Sequence, residues 1–202
     1  MKIGVLGTGN VGRTIAAKLF ELGHDVLVGS RTAKEDAVTF ADAATHGELV
    51  FNCTAGDKSL EALRMAEADN LEDKILVDVA NPLDFSRGMP PILAVCNADS
   101  LGEEIQRLFP RSKVVKALNT VNCNVMVNPS LLPGEHDVFV CGNDEGAKTV
   151  VRELLQTFGW PAERINDLGD ITAARGTEMY LPLWIRVANV AESANFNIRI
   201  VR

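Results

Sequence analysis

The feature that most constrains this chain is a glycine-rich turn that directly follows a short apolar run at the N-terminus. Lys2–Leu6 has the composition of a buried strand. After it come the six residues of a GxGxxG motif, Gly7, Thr8, Gly9, Asn10, Val11 and Gly12. Apolar residues at helical spacing then predict a helix over 10–22. A strand, a glycine turn and a helix in this order are typical of a dinucleotide-binding unit.

Each glycine of the motif has its own expected role. Gly7 permits the tight turn, Gly9 lets the backbone approach a pyrophosphate, and Gly12 lets the helix pack on the sheet. The pyrophosphate is expected on backbone N–H groups at the positive end of the helix.

The rest of the chain alternates short apolar runs with helical patterns, which predicts βαβ units. Further strands are expected at 25–29, 48–52, 74–79, 113–118 and 137–141, and further helices at 58–68, 101–109 and 145–158. The predicted fold is α/β, a Rossmann-type doubly wound, mainly parallel sheet with a short C-terminal helical and strand extension.

One domain is expected over residues 1–202, with its core over about 1–168 and the extension over 169–202. Pro182 is expected to split a helical stretch over 171–188, and 196–201 is predicted to be a short half-buried strand. Two long connections, 80–98 and 119–134, leave the carboxyl ends of predicted strands. That edge is where open α/β sheets bind ligands, so both loops are expected to be functional.

The end of the second strand predicts which dinucleotide binds. An NAD site usually has a carboxylate there for the ribose hydroxyls, whereas this chain has Ser30 and Arg31. A hydroxyl and a guanidinium attract a 2′-phosphate, so NADP(H) is the expected cofactor, with Thr32 and Lys34 assisting. Alternatively, Arg31 is a surface arginine that stacks on the adenine without selecting the cofactor.

Composition argues against several other classes. The formal net charge is −7, which suits neither nucleic-acid nor anionic-membrane binding. Four cysteines and three histidines form no metal-ligand pattern, so no metal site is expected. The chain shows neither a signal peptide nor an apolar run long enough to span a membrane, and we expect a cytoplasmic protein.

Together, GTGNVG at 7–12, GSRT at 29–32, ANPL at 80–83 and VVKALNT at 114–120 resemble coenzyme F420-dependent NADP oxidoreductases. They also resemble the cytoplasmic domains of STEAP-type metalloreductases. The resemblance covers essentially the whole chain. It implies hydride transfer between NADPH and a small-molecule redox substrate, either the deazaflavin of coenzyme F420 or a flavin.

The resemblance also implies that three further strand ends contribute to the nicotinamide side of the site. Their residues are Cys53, Thr54 and Ala55, then Ala80, Asn81 and Pro82, then Ala117, Asn119 and Thr120. Asn81, Asn119 and Thr120 are candidates for positioning the ring, although the two asparagines are equally expected as turn caps. A thiol mechanism is not favoured, because no histidine accompanies Cys53 or Cys123 in the sequence.

Two other functions remain open from the residues: an NADP-sensing regulatory protein without turnover, and a small imine or hydroxyacid reductase. The apolar residues of 179–185 are too nearly contiguous for one helix face to bury them all. With the family resemblance, this predicts a homodimer formed through the C-terminal segment, the alternative being a monomer in which the segment covers the sheet.

Overall fold

The structure is a computed structural model that describes Met1 to Val201. Its first strand and first helix form where the sequence predicts them. The strands are β1 (Lys2–Leu6), β2 (Asp25–Ser30), β3 (Val38–Thr39), β4 (Leu49–Asn52), β5 (Ile75–Asp78), β6 (Leu83–Asp84), β7 (Ile92–Leu93), β8 (Lys113–Ala117), β9 (Val138–Gly142) and β10 (Ile165–Asp167). The α-helices are α1 (Asn10–Glu21), α2 (Phe40–His46), α3 (Gly56–Met65), α4 (Ala68–Leu71), α5 (Leu101–Leu108), α6 (Cys123–Val127), α7 (Glu145–Thr157), α8 (Ala174–Met179) and α9 (Leu181–Ala191).

Eight strands form one sheet in the order β10-β9-β8-β5-β4-β1-β2-β3. Six of them, from β8 to β3, run parallel, whereas β9 runs antiparallel to β8 and pairs in parallel with β10. The strand order reverses between β1 and β4, and the carboxyl ends of these strands therefore border a crevice. The predicted Rossmann-type, mainly parallel sheet is confirmed.

A hydrophobic cluster lies on each face of the sheet. Helices α1 and α7 cover one face, where Ile15 and Leu19 of α1 pack against Val5 and Phe51. Helices α2, α3 and α5 cover the other face, where Leu63 and Ile105 pack against Val50 and Leu76. Because the central strands β1, β4, β5, β8 and β9 are covered on both faces, the ends of these strands are the part of the central sheet that is open to a ligand.

Both long connections contain secondary structure that the sequence pattern did not predict. Residues 80–98 form the β6–β7 hairpin, which pairs Leu83 with Leu93. Residues 119–134 contain α6 and a 3₁₀ turn, Pro129–Leu131. Two-residue strands and a five-residue helix are too short to show a periodicity of their own.

The prediction of a strand over 196–201 is wrong. This segment runs beside the start of β9, but its backbone hydrogen bonds go to one residue, Asp137. The Asp137 amide donates to the Ile198 carbonyl, and the Ile200 amide donates to the Asp137 carboxylate at 2.6 Å. A side chain thus takes the place of the second backbone partner, and no ladder forms. The expected split at Pro182 is confirmed, since α8 ends at Met179 and α9 begins at Leu181.

Candidate active site

Two adjoining cavities lie at the carboxyl ends of the central strands. The smaller, of about 230 Å³, lies on the glycine turn and is lined by Gly7, Thr8, Gly9, Arg31, Phe40, Lys58 and neighbouring residues of α3. The larger, of about 410 Å³, extends over the ends of β5 and β8. Cys53, Thr54 and Ala55 line both cavities, so the two form one continuous groove.

The glycine turn has the geometry expected of a site for a phosphate group. A Cβ on Gly12 would lie 2.0 Å from the Gly7 carbonyl oxygen, and a Cβ on Gly7 would lie 2.7 Å from the Cys53 carbonyl oxygen. A Cβ on Gly9, by contrast, would meet no atom of residues 1–201 within 4 Å. Gly7 and Gly12 are therefore required by the protein's own packing, whereas Gly9 borders space that a ligand can use.

The N-terminus of α1 is open in the same way. Helices α2, α5 and α7 are capped by the side chains of Thr39, Ser100 and Asp144. Within residues 1–201, no side chain caps α1, and its first turn carries no carboxylate. Uncapped N–H groups at the positive end of a helix bind anions, and these residues therefore fit a pyrophosphate.

The residues predicted to select the cofactor lie at different depths. Arg31 is exposed and lines the smaller cavity. Ser30 is buried, and its hydroxyl donates to the Thr32 carbonyl at 2.5 Å, which shapes the turn that presents Arg31. Thr32 and Lys34 are exposed on the loop that follows.

Sequence reasoning missed Arg13, which joins this loop to the glycine turn. Its Nε donates to the Thr8 carbonyl at 2.9 Å, and its Nη2 lies 2.8 Å from the Asp36 carboxylate. The hydrogen bond from Arg13 lowers the pKa of Asp36. An arginine directly after the third glycine was the only signal in the sequence.

The larger cavity has a floor and a roof. The floor is made by the loops that follow β4, β5 and β8, and it includes Ala80, Asn81, Asn119 and Thr120. The roof comes from α9, through Leu181 and Trp184. Phe85, which is 57% exposed, lies on the hairpin at the margin. Trp184 was missed as a site residue because its pattern indicates only an apolar helix.

Asn81 and Asn119 hold two loops of the floor together. The Asn81 amide donates to the Asn119 carbonyl at 2.8 Å, and the Asn119 amide donates to Asn81 Oδ1 at 2.9 Å. Leu118, just before Asn119, is fully buried with φ = 63°. A left-handed leucine costs about 1–2 kcal/mol and persists only where its surroundings fix it. The two side-chain amides are used in these bonds, which tie the loop after β5 to the loop after β8.

Two polar atoms at this cavity lack partners within residues 1–201. They are Thr120 Oγ1, on a side chain that is almost wholly buried, and the indole nitrogen of Trp184. A buried polar group without a partner is costly, so both atoms mark places beside the cavity where the protein leaves a hydrogen bond unmade.

Other predicted residues do not line either cavity. Ala117 is fully buried in the core, and Pro82 lies beside Gly56 at the start of α3. Cys53 does line both cavities, but burial raises the pKa of its thiol, which keeps the sulfur protonated and unreactive. Cys123 lies at the start of α6 and lines the larger cavity.

Beneath the floor lies a buried ionic cluster that the sequence reasoning also missed, made by Asp78, Lys116 and Glu178. Lys116 Nζ lies 2.7 Å from a carboxylate oxygen of Asp78 and 2.7 Å from one of Glu178, and it donates to the Ala80 carbonyl at 2.5 Å. All three side chains are at most 1% exposed. The sequence does contain a signal for this cluster: Asp78 and Lys116 are charged residues near the ends of two strands, each directly after apolar residues. Charged side chains in buried strands must be paired, so each predicts a partner.

Burial opposes the charge on Lys116, but the two carboxylates outweigh it, and its pKa lies above the ordinary value. Burial raises the pKa of Glu178 against the pull of Lys116. The structure thus keeps a charged lysine under the floor of the larger cavity.

Within residues 1–201, no group of three or more His, Cys, Asp or Glu side chains could hold a metal ion. None of the helices in the same part of the chain is long and apolar enough to cross a membrane.

Comparison with known proteins agrees with this geometry. A family model described as NADP oxidoreductase, coenzyme F420-dependent, matches residues 2–82. The F420-dependent NADP reductase of Methanocaldococcus jannaschii is 30% identical to this chain over an alignment 223 positions long. The alignment covers 99% of this chain and 98% of that protein. A solved structure of a candidate F420-dependent NADP reductase from Arthrobacter sp. FB24 is 51% identical, with a TM-score of 0.95 and full coverage of both chains.

A metalloreductase contains a similar segment. The metalloreductase STEAP3 of Rattus norvegicus is 32% identical over 196 residues, which cover 91% of this chain but only 38% of that protein. The chain belongs to the family of coenzyme F420-dependent NADP oxidoreductases and is an NADP-dependent oxidoreductase.

Proposed function

We propose that the protein transfers a hydride between NADPH and a deazaflavin, coenzyme F420, or a flavin-type acceptor. The observation that carries this proposal is the continuous groove, in which the larger cavity lies beyond the glycine turn. A dinucleotide with its pyrophosphate on Gly9 reaches the larger cavity past Cys53, Thr54 and Ala55. A volume of about 410 Å³ under an aromatic roof leaves room for a planar ring beside the nicotinamide.

The proposed cofactor site follows the groove. The N–H groups of 9–11 hold the pyrophosphate, and Arg31 meets the 2′-phosphate, with Thr32 and Lys34 on the same loop and Ser30 shaping its turn. Residues 53–55 lie along the middle of the dinucleotide. Ala80, Asn81 and Asn119 form the surface on which the nicotinamide lies.

The protein's task in this reaction is alignment. NADPH supplies the hydride, and the acceptor ring receives both electrons with it. Asp57 is the one carboxylate among the lining residues of the larger cavity, and it lies at the start of α3. Such a lining excludes water and positions two rings without needing an acid–base pair.

Stopped-flow absorbance with NADPH tests the acceptor. We expect the wild-type protein to oxidise NADPH when coenzyme F420 or FMN is added, and not when a cyclic imine or a keto acid is added. Turnover with an imine or a keto acid alone would assign the site to a small imine or hydroxyacid reductase instead. Tight NADPH binding without turnover of any acceptor would favour the NADP-sensing alternative.

We also propose that two copies associate through α9. The helix has two apolar faces: Leu181 and Trp184 cover the cavity, whereas Leu183, Val187 and Val190 form a stripe at i, i+4 and i+7. These last three side chains are 59%, 38% and 88% exposed. An exposed apolar stripe on the helix that roofs the site suits a homodimer that also stabilises the roof.

A further inference from the structure

Lys116 connects the floor of the larger cavity to α8, the helix that directly precedes the roof helix α9. Its ammonium group donates to the carbonyl of Ala80, a floor residue, and pairs with Glu178 of α8. Leu181, the first roof residue, follows Glu178 by three positions. A single buried cation therefore bonds both to a floor residue and to the helix that leads into the roof.

Each partner of Lys116 is itself fixed by further bonds. Glu178 accepts from the backbone amides of Leu101 and Gly102 at 2.8 and 3.0 Å, at the N-terminus of α5. Asp78 accepts from the side chain of Asn52 at 2.8 Å. The cluster thus joins α5 and α8 to the ends of β4, β5 and β8.

Further hydrogen bonds link this cluster, through Asn52, to the middle of the groove. Thr54, which lines both cavities, donates to Asn52 Oδ1 at 2.6 Å. In the sheet, Asn52 pairs with Asp78 and Asp78 pairs with Lys116, so the three side chains form one row on the face covered by α3 and α5. A buried row of this kind has little freedom to shift, because any movement leaves a charge unpaired.

We propose that Lys116 is a positioning residue that sets the separation between the floor and the roof of the larger cavity, and with it the alignment of the two reacting rings. This inference rests on the proposed function, because it requires a nicotinamide and an acceptor ring in that cavity. Lys116 itself lies beneath the floor, and it acts through Ala80 and Glu178.

Lys116→Met tests the proposal against a matched control, Lys148→Met. Lys148 is also buried, and its ammonium group also bonds to two carboxylates, of Asp167 and Glu145, and to one carbonyl, of Gly169. It connects α7 to β10, however, and lines neither cavity. Both substitutions remove a buried ammonium, and both are expected to lower the melting temperature. Only Lys116→Met is expected to misalign the rings.

Two measurements on the purified full-length variants separate the effects. In single turnover at saturating NADPH, with FMN and with coenzyme F420, we expect Lys116→Met to slow hydride transfer on the order of 10- to 100-fold, as for a ring misplaced by about 1 Å. The Kd for NADPH should stay within about threefold of wild type, since the pyrophosphate site is untouched. Without any acceptor, the fluorescence lifetime of bound NADPH should shift towards the value of free NADPH.

Equal transfer rates in Lys116→Met and Lys148→Met, with an unchanged lifetime, would overturn the inference. A wild-type protein that transfers to neither acceptor would instead contradict the proposed function, and the lifetime would still test the positioning role. If Lys116→Met does not fold, Glu178→Gln serves in its place, because it keeps the side-chain shape and weakens the bond to Lys116. A folded Glu178→Gln protein with the wild-type rate and lifetime would also overturn the inference.

Discussion

At the scale of single residues, Gly9 and Gly12 belong to the same turn, but an added Cβ would have open space at Gly9 and a close backbone contact at Gly12. Gly9→Ala adds a methyl group that meets no atom of residues 1–201 within 4 Å. We expect the variant to keep its melting temperature but to bind NADPH at least tenfold more weakly, a loss of about 1.4 kcal/mol, because the methyl occupies the space proposed for the pyrophosphate. Isothermal calorimetry and a thermal melt check both parts.

Gly12→Ala is the contrasting substitution. Its Cβ would lie 2.0 Å from the Gly7 carbonyl oxygen, so the helix must move away from the turn. The expected cost is about 1–3 kcal/mol of folding free energy, seen as a lower melting temperature.

The outcome that would contradict the Gly9 prediction is a Gly9→Ala variant with normal NADPH affinity. The pyrophosphate would then not lie on Gly9.

Arg31 belongs to the same scale, since one guanidinium is expected to choose between two dinucleotides. Removing a charge-assisted contact costs about 1.5–3 kcal/mol, which is roughly 10- to 100-fold in affinity. Arg31→Ala should therefore weaken NADPH binding by this factor and leave NADH binding nearly unchanged, as measured by calorimetry. Equal losses for both cofactors would instead assign Arg31 to stacking on the adenine.

At the scale of elements, an ion pair between Arg175 and Glu103 connects α8 to α5, in addition to the bonds from the backbone of α5 to Glu178. Arg175 donates to both carboxylate oxygens of Glu103, at 2.5 and 2.8 Å. These hydrogen bonds lower the pKa of Glu103 from its ordinary value of 4.5. The folded state thus binds the proton less readily than the unfolded chain, so the stability from this pair is present above that value and is lost as the pH falls through the lowered pKa.

Arg175→Ala isolates this contribution. We expect the variant to unfold at a lower urea concentration than wild type at about pH 7, and the difference between the two to be smaller at about pH 3, which is nearer to the lowered pKa of Glu103. Comparing variant with wild type at each pH cancels the other titrating groups, including Glu178, whose pKa is shifted the other way. An equal difference at both pH values would show that Arg175 acts through packing alone.

At the scale of the whole molecule, the stripe on α9 predicts the oligomeric state. Light scattering at micromolar concentration should give twice the 21.8 kDa of one chain. Leu183→Asp places a charge in the proposed interface and should return the mass to that of a monomer. Phe20→Asp is the matched control, because Phe20 is 56% exposed on α1, far along the chain from the stripe. A wild-type monomer, unchanged by NADPH, would contradict the dimer.

The sequence by itself determined the sheet and one end of the site. Buried strands, a glycine turn and an amphipathic helix are local patterns, and Gly7, Gly9 and Arg31 follow from strand ends that local residues define. The structure places these three residues on one cavity. Each of these inferences needed only residues within about one βαβ unit.

Only the tertiary structure decided what covers the larger cavity. Lys116 meets Asp78 across 38 positions, and Glu178 meets the start of α5 across 76 and 77. In the terminal segment, the amide of Ile200 bonds to the side chain of Asp137, which lies 63 positions earlier, and the segment forms no strand. Such pairings depend on how helices pack on a finished sheet, and a charged residue in a buried strand reveals that it needs a partner without revealing which one.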